Sequence, residues 1–525
     1  MGADQPAVTG QPVSTTGSFT GGQLAAFALL VCLYVATRLW QLTAACLWFD
    51  EIFSLHAARH EWGPLLAFAA ADVVHPPLFY LLLKGWVKLG GESLVWLRLL
   101  PALAAIAALV PFALLCRELR LAATETNLAL ALISVNGYLV HYAQTLRMYS
   151  LLLLLGLGSL WLFLRFVRAG SDQLRSLLYL TAVNLLLIYT HYYGWFIIGA
   201  QAFFLLLFAR GRLRPFAVAV AALALAFSPW AYAVARAARN GALAQNLGWV
   251  RRPKAFDLAD LFMSLDALPH FPQSAAAGLA LFNLPILLWV WRRAKAGDRP
   301  AANQHAAFSS LATFAFAPAL LAFSASQLLP QSIWGSRHLI LIAVPYLMLA
   351  ATAINRLRPD WARISMFILI ICWLFLASSL LLIKKEPSYI WCAWDPLVRQ
   401  MIRVAPPAAD EIKIYAFEDL IAYHIWFTLD STGEKRFRVV RVRGVTEIAE
   451  DAQYFLPRGF DGVTVADPGA LSGDHFWVAF RDASWDPGRQ PLKLLADRGY
   501  QIEERLSISA PGQNAFLVQV TRKGE

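Results

Sequence analysis

Trp48-Phe49-Asp50-Glu51 directly follows the first long apolar stretch of the chain. Two adjacent carboxylates at a bilayer exit are costly unless they are paired or used. Farther along the same loop come Asp72 and then His75-Pro76-Pro77-Leu78-Phe79-Tyr80. The loop therefore gathers side chains able to take and give protons. Cations recur on what the topology below makes the same side: Lys84, Lys88, Arg147, Arg337, Lys384-Lys385 and the set Arg236/Arg239/Arg251/Arg252/Lys254. Several stand where an apolar run meets the surface, and an anion there would satisfy them. A lipid phosphate is the obvious one, because Arg grips phosphate oxygens in a bidentate fashion.

The elements that must position these residues are mostly membrane helices. Of 525 residues, 58% are hydrophobic and only 15% charged, with a mean hydropathy of +0.52; soluble domains carry about a quarter charged residues. The formal charge of +11 does not point to nucleic acid, since the basic residues lie between apolar runs rather than along one face. They act instead as topology determinants. Eleven segments have the length and apolarity of a span: 24–42, 96–116, 126–143, 148–167, 176–191, 193–209, 215–235, 274–291, 308–329, 338–354 and 362–383. With these spans, Arg117/Arg120, Arg165/Arg168/Arg175, Arg210/Arg212/Arg214, Arg292/Arg293/Lys295 and Arg356/Arg358 fall on one side. The positive-inside rule makes that side cytoplasmic, which puts the N-terminus inside and the Asp50 loop and C-terminal segment outside. Segment 75–90 is apolar but broken by Lys84 and Lys88; it reads as an interfacial helix on the outer leaflet, as does 52–70.

Residues 1–20 lack an apolar period and read as a disordered tail. The first apolar run has no short h-region followed by a small-residue cleavage site, so it is expected to stay as an anchor. Residues 386–525 change character: short apolar runs at 412–415, 438–442, 476–480 and 515–520 alternate with turn residues, and 396–404 and 418–428 look helical. The expected fold is an α-helical polytopic membrane protein of about eleven spans, residues 21–385, with the first outer loop at 43–95. A small extracytoplasmic α/β domain follows at 386–525. Five cysteines show no zinc spacing and no disulfide framework. Cys46 and Cys392 both fall just outside spans on the same side, which leaves a bridge between them open.

Asp50-Glu51, the His-Pro-Pro-Leu-Phe-Tyr run and Leu97-Arg98-Leu99-Leu100-Pro101-Ala102-Leu103 together resemble the GT-C membrane glycosyltransferases. The protein O-mannosyltransferase, aminoarabinose transferase and lipid A galacturonosyltransferase branches are the nearest in pattern. Tyr142-Ala143-Gln144-Thr145-Leu146-Arg147-Met148-Tyr149, Tyr189-Thr190-His191-Tyr192-Tyr193-Gly194 and Arg337-His338-Leu339 are further echoes, so the resemblance covers roughly residues 24–360. The resemblance implies transfer of a sugar from a polyprenyl-phosphate-linked donor to an envelope lipid, glycan or protein on the outer face of a bacterial inner (plasma) membrane, with inversion. Such a displacement needs a carboxylate to take the acceptor's proton and cations to stabilise the departing phosphate. Asp50 is the candidate base, with Glu51 orienting the acceptor or a neighbouring helix. Lys84, Arg147, Tyr149 and Arg337 are candidates for the lipid phosphate, and His75, His191 and Tyr192 for substrate. No cofactor is certain. A divalent metal held by Asp50, Glu51, His75 and His191 stays open, because no spacing compels it. Val73-Val74 stand where some branches place Glu or Lys, so a metal requirement is not carried over. The rival readings are a transporter or lipid-binding protein without transferase activity; a transporter predicts internal repeats and mid-membrane charges, which the sequence does not display.

Overall fold

Thr20 starts the first helix: its hydroxyl accepts from the Gln23 amide while the Gln23 side chain accepts from the Thr20 N–H, closing a reciprocal cap. In this computed structural model the described residues are 19–170, 172–296, 302–383, 390–405, 411–445 and 462–522. The expected tail, apart from Phe19 and Thr20, and Lys384-Lys385 lie outside them. The order begins α1 (Gly21–Leu39), α2 (Phe49–Arg59), α3 (Trp62–Asp72), α4 (Leu78–Gly90), α5 (Leu94–Ala107), α6 (Leu109–Glu118) and α7 (Ala123–Val135). It continues with α8 (Gly137–Ala143), α9 (Tyr149–Arg168), α10 (Gln173–Thr190), α11 (Gly194–Phe208), α12 (Leu213–Arg239), α13 (Ala242–Leu247) and α14 (Ala255–Asp266). Then come α15 (Ala275–Ala296), α16 (Ala302–Leu328), α17 (Ile340–Asn355) and α18 (Asp360–Leu382).

Each expected span coincides with helix. Among the described residues eight helical stretches are long and apolar enough to cross a membrane, including the continuous Leu94–Glu118 made of α5 and α6. The other three expected spans fall on α7, α10 and α11, of 13, 18 and 15 residues. The chain is thus an integral membrane protein. The centre of the bundle is α17, whose side chains from Ile340 to Ile354 are all buried.

Two expectations are corrected in detail. The single outer helix at 52–70 is two, α2 and α3, because Pro64 cannot supply the N–H that would bond back to His60 and its ring would crowd that carbonyl. The expected span at 126–143 breaks at Asn136, which caps α8 by accepting from the Leu139 amide at 2.9 Å and donates to Leu265 O at 2.7 Å.

The C-terminal part holds α19 (Trp394–Val404), α20 (Asp419–Thr432), α21 (Leu492–Asp497) and strands β1 (Ile412–Ala416), β2 (Phe437–Val442), β3 (Thr464–Ala466), β4 (His475–Asp482), β5 (Tyr500–Ala510) and β6 (Gln513–Arg522). They form one sheet in the order β3-β2-β1-β4-β6-β5. The first four strands are parallel, and β6 and β5 join antiparallel. The expected α/β domain is therefore present, with two strands more than the apolar runs marked. Its core of Trp394, Ile414, Tyr423 and Trp477 also takes in Phe49 and Ile52 from α2. Cys46 and Cys392 form a disulfide, joining the segment after α1 to the segment that enters α19.

Candidate functional site

Three ties hold α2 in place. Its N-terminus is fixed by Glu51, whose buried carboxylate accepts from the Trp48 amide at 2.9 Å, from the Leu146 amide at 2.7 Å, and pairs with Arg98 at 3.3 Å. Arg98 in turn donates to Leu42 O, Ala45 O and Cys46 O. From the other side Phe49 and Ile52 enter the C-terminal core, with the Phe49 and Tyr423 rings 5.1 Å apart. Asp50, between these anchors, is left to face a small cleft of about 90 Å³.

Five separate segments, α2 among them, build that cleft. Asp50 Oδ2 pairs with Arg337 Nη1 at 3.1 Å. Arg147 comes from the link before α9; its Nη1 donates to Asp50 O and to Ser54 Oγ, both at 2.9 Å, and its Nη2 lies 3.3 Å from His75 Nδ1. Asp72 and His75 come from the turn between α3 and α4. Asn246 and Trp249, at and just beyond the end of α13, close another wall, and Asn246 Nδ2 donates to Asp72 O at 2.6 Å.

The two carboxylates are driven apart in acidity. Burial pushes Asp50 up, but the guanidinium groups of Arg337 and Arg147 outweigh it and hold the carboxyl below its ordinary value. At Asp72 burial prevails over Arg147, Asp50 adds like-charge repulsion, and the carboxyl is raised to about 7. Burial, then Arg147 and the two neighbouring histidines, keep His75 well below the usual imidazole range, so it is neutral. Such a site combines an ionised carboxylate, a second one that titrates near neutrality, and two fixed cations. It can accept a proton and hold an anion at once.

Of the residues singled out from the sequence, Asp50, His75, Arg147 and Arg337 line the cleft together. Behind them His191 stacks near His75, with ring centroids 5.2 Å apart. Tyr149 lies beside His338, 6.0 Å between centroids. Three others go elsewhere. Glu51 is enclosed by Arg98 and backbone amides, so of its two expected roles the helix-orienting one has the geometry. Lys84 is buried away from the cleft, donating to His60 O at 2.5 Å and lying 5.2 Å over the Trp62 ring. Tyr192 turns toward α12, where its hydroxyl accepts from Trp230 Nε1 at 3.1 Å. Its neighbour Tyr193 takes the inward place: its hydroxyl donates to Ile333 O at 2.5 Å, and its ring lies 5.2 Å from His338. His338 and Tyr193 were visible inside the quoted motifs, yet nothing in their types distinguished them from Arg337 and Tyr192 beside them, whereas Asp72 stood out in the loop as a titratable residue but was given no role. The cations at Arg251 and Arg252 also turn away, to Asp257 and to Gln327 O.

A wide apolar groove of about 570 Å³ lies beside the cleft, between α3/α4 and α10/α12. Its wall includes Pro77, two residues from His75, together with Leu78, Leu81, Leu185 and Trp230.

No family model matches the chain, and no curated protein matches it in sequence. Solved structures do match in shape. ArnT from Cupriavidus metallidurans in the apo state superposes with a TM-score of 0.58 at 13% identity, covering 95% of this chain and 98% of that one. ArnT bound to undecaprenyl phosphate matches with the same score and coverage at 12% identity. The chain shares the fold of ArnT. The archaeal oligosaccharyltransferase AglB from Archaeoglobus fulgidus, in complex with an inhibitory peptide and a dolichol-phosphate, shares it at a TM-score of 0.52 and 13% identity, over 94% of this chain and 74% of that one. The match to ArnT takes in nearly the whole of both chains, so the shared fold extends over the loops that carry Asp50 and His75.

Proposed function

We propose that this chain is a membrane glycosyltransferase that moves a sugar from a polyprenyl-phosphate-linked donor to an envelope lipid, glycan or protein. The observation that carries the reading is the ionised carboxylate of Asp50 beside Arg147 and Arg337, in a cleft whose His75 lies two residues from Pro77 of the apolar groove. A polyprenyl chain fits a groove lined by Leu, Pro and Trp, and its phosphate then meets the two guanidinium groups. Asp50 takes the proton of the acceptor hydroxyl as that oxygen attacks the anomeric carbon, and the phosphate leaves with the bonding electrons. One displacement inverts the anomeric centre. The arginines stabilise charge where it develops, and Asp72 is the second carboxylate available to hold a proton. The fold likeness to ArnT bound to undecaprenyl phosphate and to AglB with a dolichol-phosphate supports a lipid-phosphate ligand. The Cys46–Cys392 bridge supports an oxidising, extracytoplasmic side for the site, in agreement with the positive-inside topology.

The test is transfer by the detergent-purified protein, offered labelled polyprenyl-phosphate sugars and crude envelope acceptors, with Asp50→Asn beside it. Loss of a positioned base is expected to lower transfer by about 10²–10⁴-fold while lipid-phosphate binding persists. Full-rate transfer by Asp50→Asn would sink the assignment of the base. Binding of the lipid phosphate with no transfer from any donor would instead favour a lipid-binding protein on this fold.

A further inference from the structure

His75, His191 and His338 converge from three separate segments, and one ring nitrogen from each lies within 4.8 Å of the others. Three imidazoles are a common way to hold a zinc-like ion, so the question is which nitrogen of each ring has a lone pair to offer inward. His75 Nδ1 faces Arg147 Nη2 at 3.3 Å, and His191 Nδ1 receives the Tyr193 backbone N–H at 3.1 Å. A guanidinium and a backbone amide can only donate. Both Nδ1 atoms are therefore acceptors, and a neutral ring that accepts at Nδ1 carries its hydrogen at Nε2. Those two Nε2 atoms are buried and have no hydrogen-bond partner in the protein. They are N–H donors awaiting an acceptor, which a native interior rarely leaves unmet.

A metal-binding imidazole has the reverse arrangement, donating its outer nitrogen to a carbonyl or carboxylate so that the inner one keeps its lone pair. Here the outer partners are donors. Arg147 beside His75 and Arg337 adjoining His338 add positive charge, which repels a cation and attracts an anion. The residues present do not fit a divalent metal.

We infer that His75 and His191 are a neutral N–H donor pair for a phosphate oxygen, acting with Arg147 and Arg337, and that the three-histidine cluster is not a metal site. The inference rests on the proposal above for the source of the phosphate, a lipid-linked donor.

Binding of polyprenyl phosphate and, separately, of inorganic phosphate to the full-length protein in detergent tests it, with zinc titration alongside. His75→Leu and His191→Leu are expected to weaken polyprenyl phosphate about tenfold each, the equivalent of about 1.4 kcal/mol. His75→Gln and His191→Gln, which keep an N–H donor but make poor zinc ligands, restore most of that binding and guard against a Leu variant that fails to fold. Chelator leaves binding unchanged, and zinc does not bind stoichiometrically. Unchanged lipid-phosphate binding in both Leu variants overturns the donor pair while leaving the glycosyltransferase reading intact. Histidine-dependent stoichiometric zinc, or loss of lipid binding on chelation, overturns it too. Histidine-dependent binding of inorganic phosphate without binding of the lipid supports the anion site and sinks the lipid-donor reading. Binding of neither overturns both.

Discussion

Asp50 and Asp72 share one cleft, and their neighbours give them opposite characters. Asp50 is held ionised by two guanidinium groups, whereas Asp72 pays for burial with a carboxyl raised from 3.8 to about 7. The second shift has a consequence for stability. Folded protein retains a proton on Asp72 that the unfolded chain gives up at its ordinary value, so the unfolded state binds fewer protons between about pH 4 and about pH 7. Stability must therefore fall as pH rises through that window and level off above it. Asp72→Asn, which cannot ionise, is expected to flatten this slope and to melt at a higher temperature than the unsubstituted protein at pH 8, as read by thermal unfolding in detergent. An unchanged slope in the variant would show that the Asp72 carboxyl is not protonated in the folded protein. Asp50, His75, Arg147 and Arg337 were legible in the sequence because polar residues at the ends of apolar runs are expensive, and so informative. The choice of Tyr193 over Tyr192 was not, since the turn between α10 and α11 decides which ring faces in. Lys84 misled for a related reason: a cation on an apolar helix needs a partner, and the partner is the carbonyl of His60 rather than a phosphate.

At the scale of elements, α2 is held by its flanks so that its middle can be used. Glu51 and Arg98 are both buried and have between them five further backbone partners, in the loop after α1 and just before α9. Breaking a buried pair by removing one partner costs about 3–5 kcal/mol, because the other charge is left uncompensated. Arg98→Ala or Glu51→Ala is thus expected to lower denaturant stability by about that much and to reduce folded yield. A variant with full stability but lost transfer would instead place Glu51 in the chemistry. The turn after α3 is held in tension: Val73, a β-branched residue, adopts φ 59° between Asp72 and Pro76, a conformation such side chains avoid. Val73→Gly removes that steric strain, worth about 1–3 kcal/mol, and is expected to raise the melting temperature while loosening His75, with binding of polyprenyl phosphate weakened. Equal binding in the variant would mean the strain does not position His75. The spans were legible because twenty apolar residues in a row have few other uses. Strands β1, β2, β4 and β6 were legible from their apolar runs, but β5 was not: Gln501, Glu503, Glu504 and Arg505 give it the composition of a surface loop, and only pairing with β6 makes it a strand.

For the whole molecule, the C-terminal domain belongs to the site without lining it. Its core absorbs Phe49 and Ile52, and Arg59 at the end of α2 pairs with Asp430 of α20 at 2.6 Å. The bridge from Cys46 to Cys392 makes the attachment covalent. Cys392→Ser is expected to destabilise the protein by about 2–4 kcal/mol and to lower transfer through misplacement of α2, seen as a drop in melting temperature that reductant reproduces in the unsubstituted protein. A reductant that leaves both melting and transfer unchanged would make the bridge incidental. What the sequence did not disclose at this scale is the docking itself, because the residues that make it, Phe49 and Tyr423, are ordinary apolar side chains read one at a time. The bridge also imposes an order on biogenesis. Cys46 precedes its partner by 346 residues, so every membrane helix is synthesised before the loop bearing Asp50 can be pinned. A polypeptide interrupted anywhere before Cys392 would be inserted without the covalent tie between the Asp50 loop and the C-terminal domain.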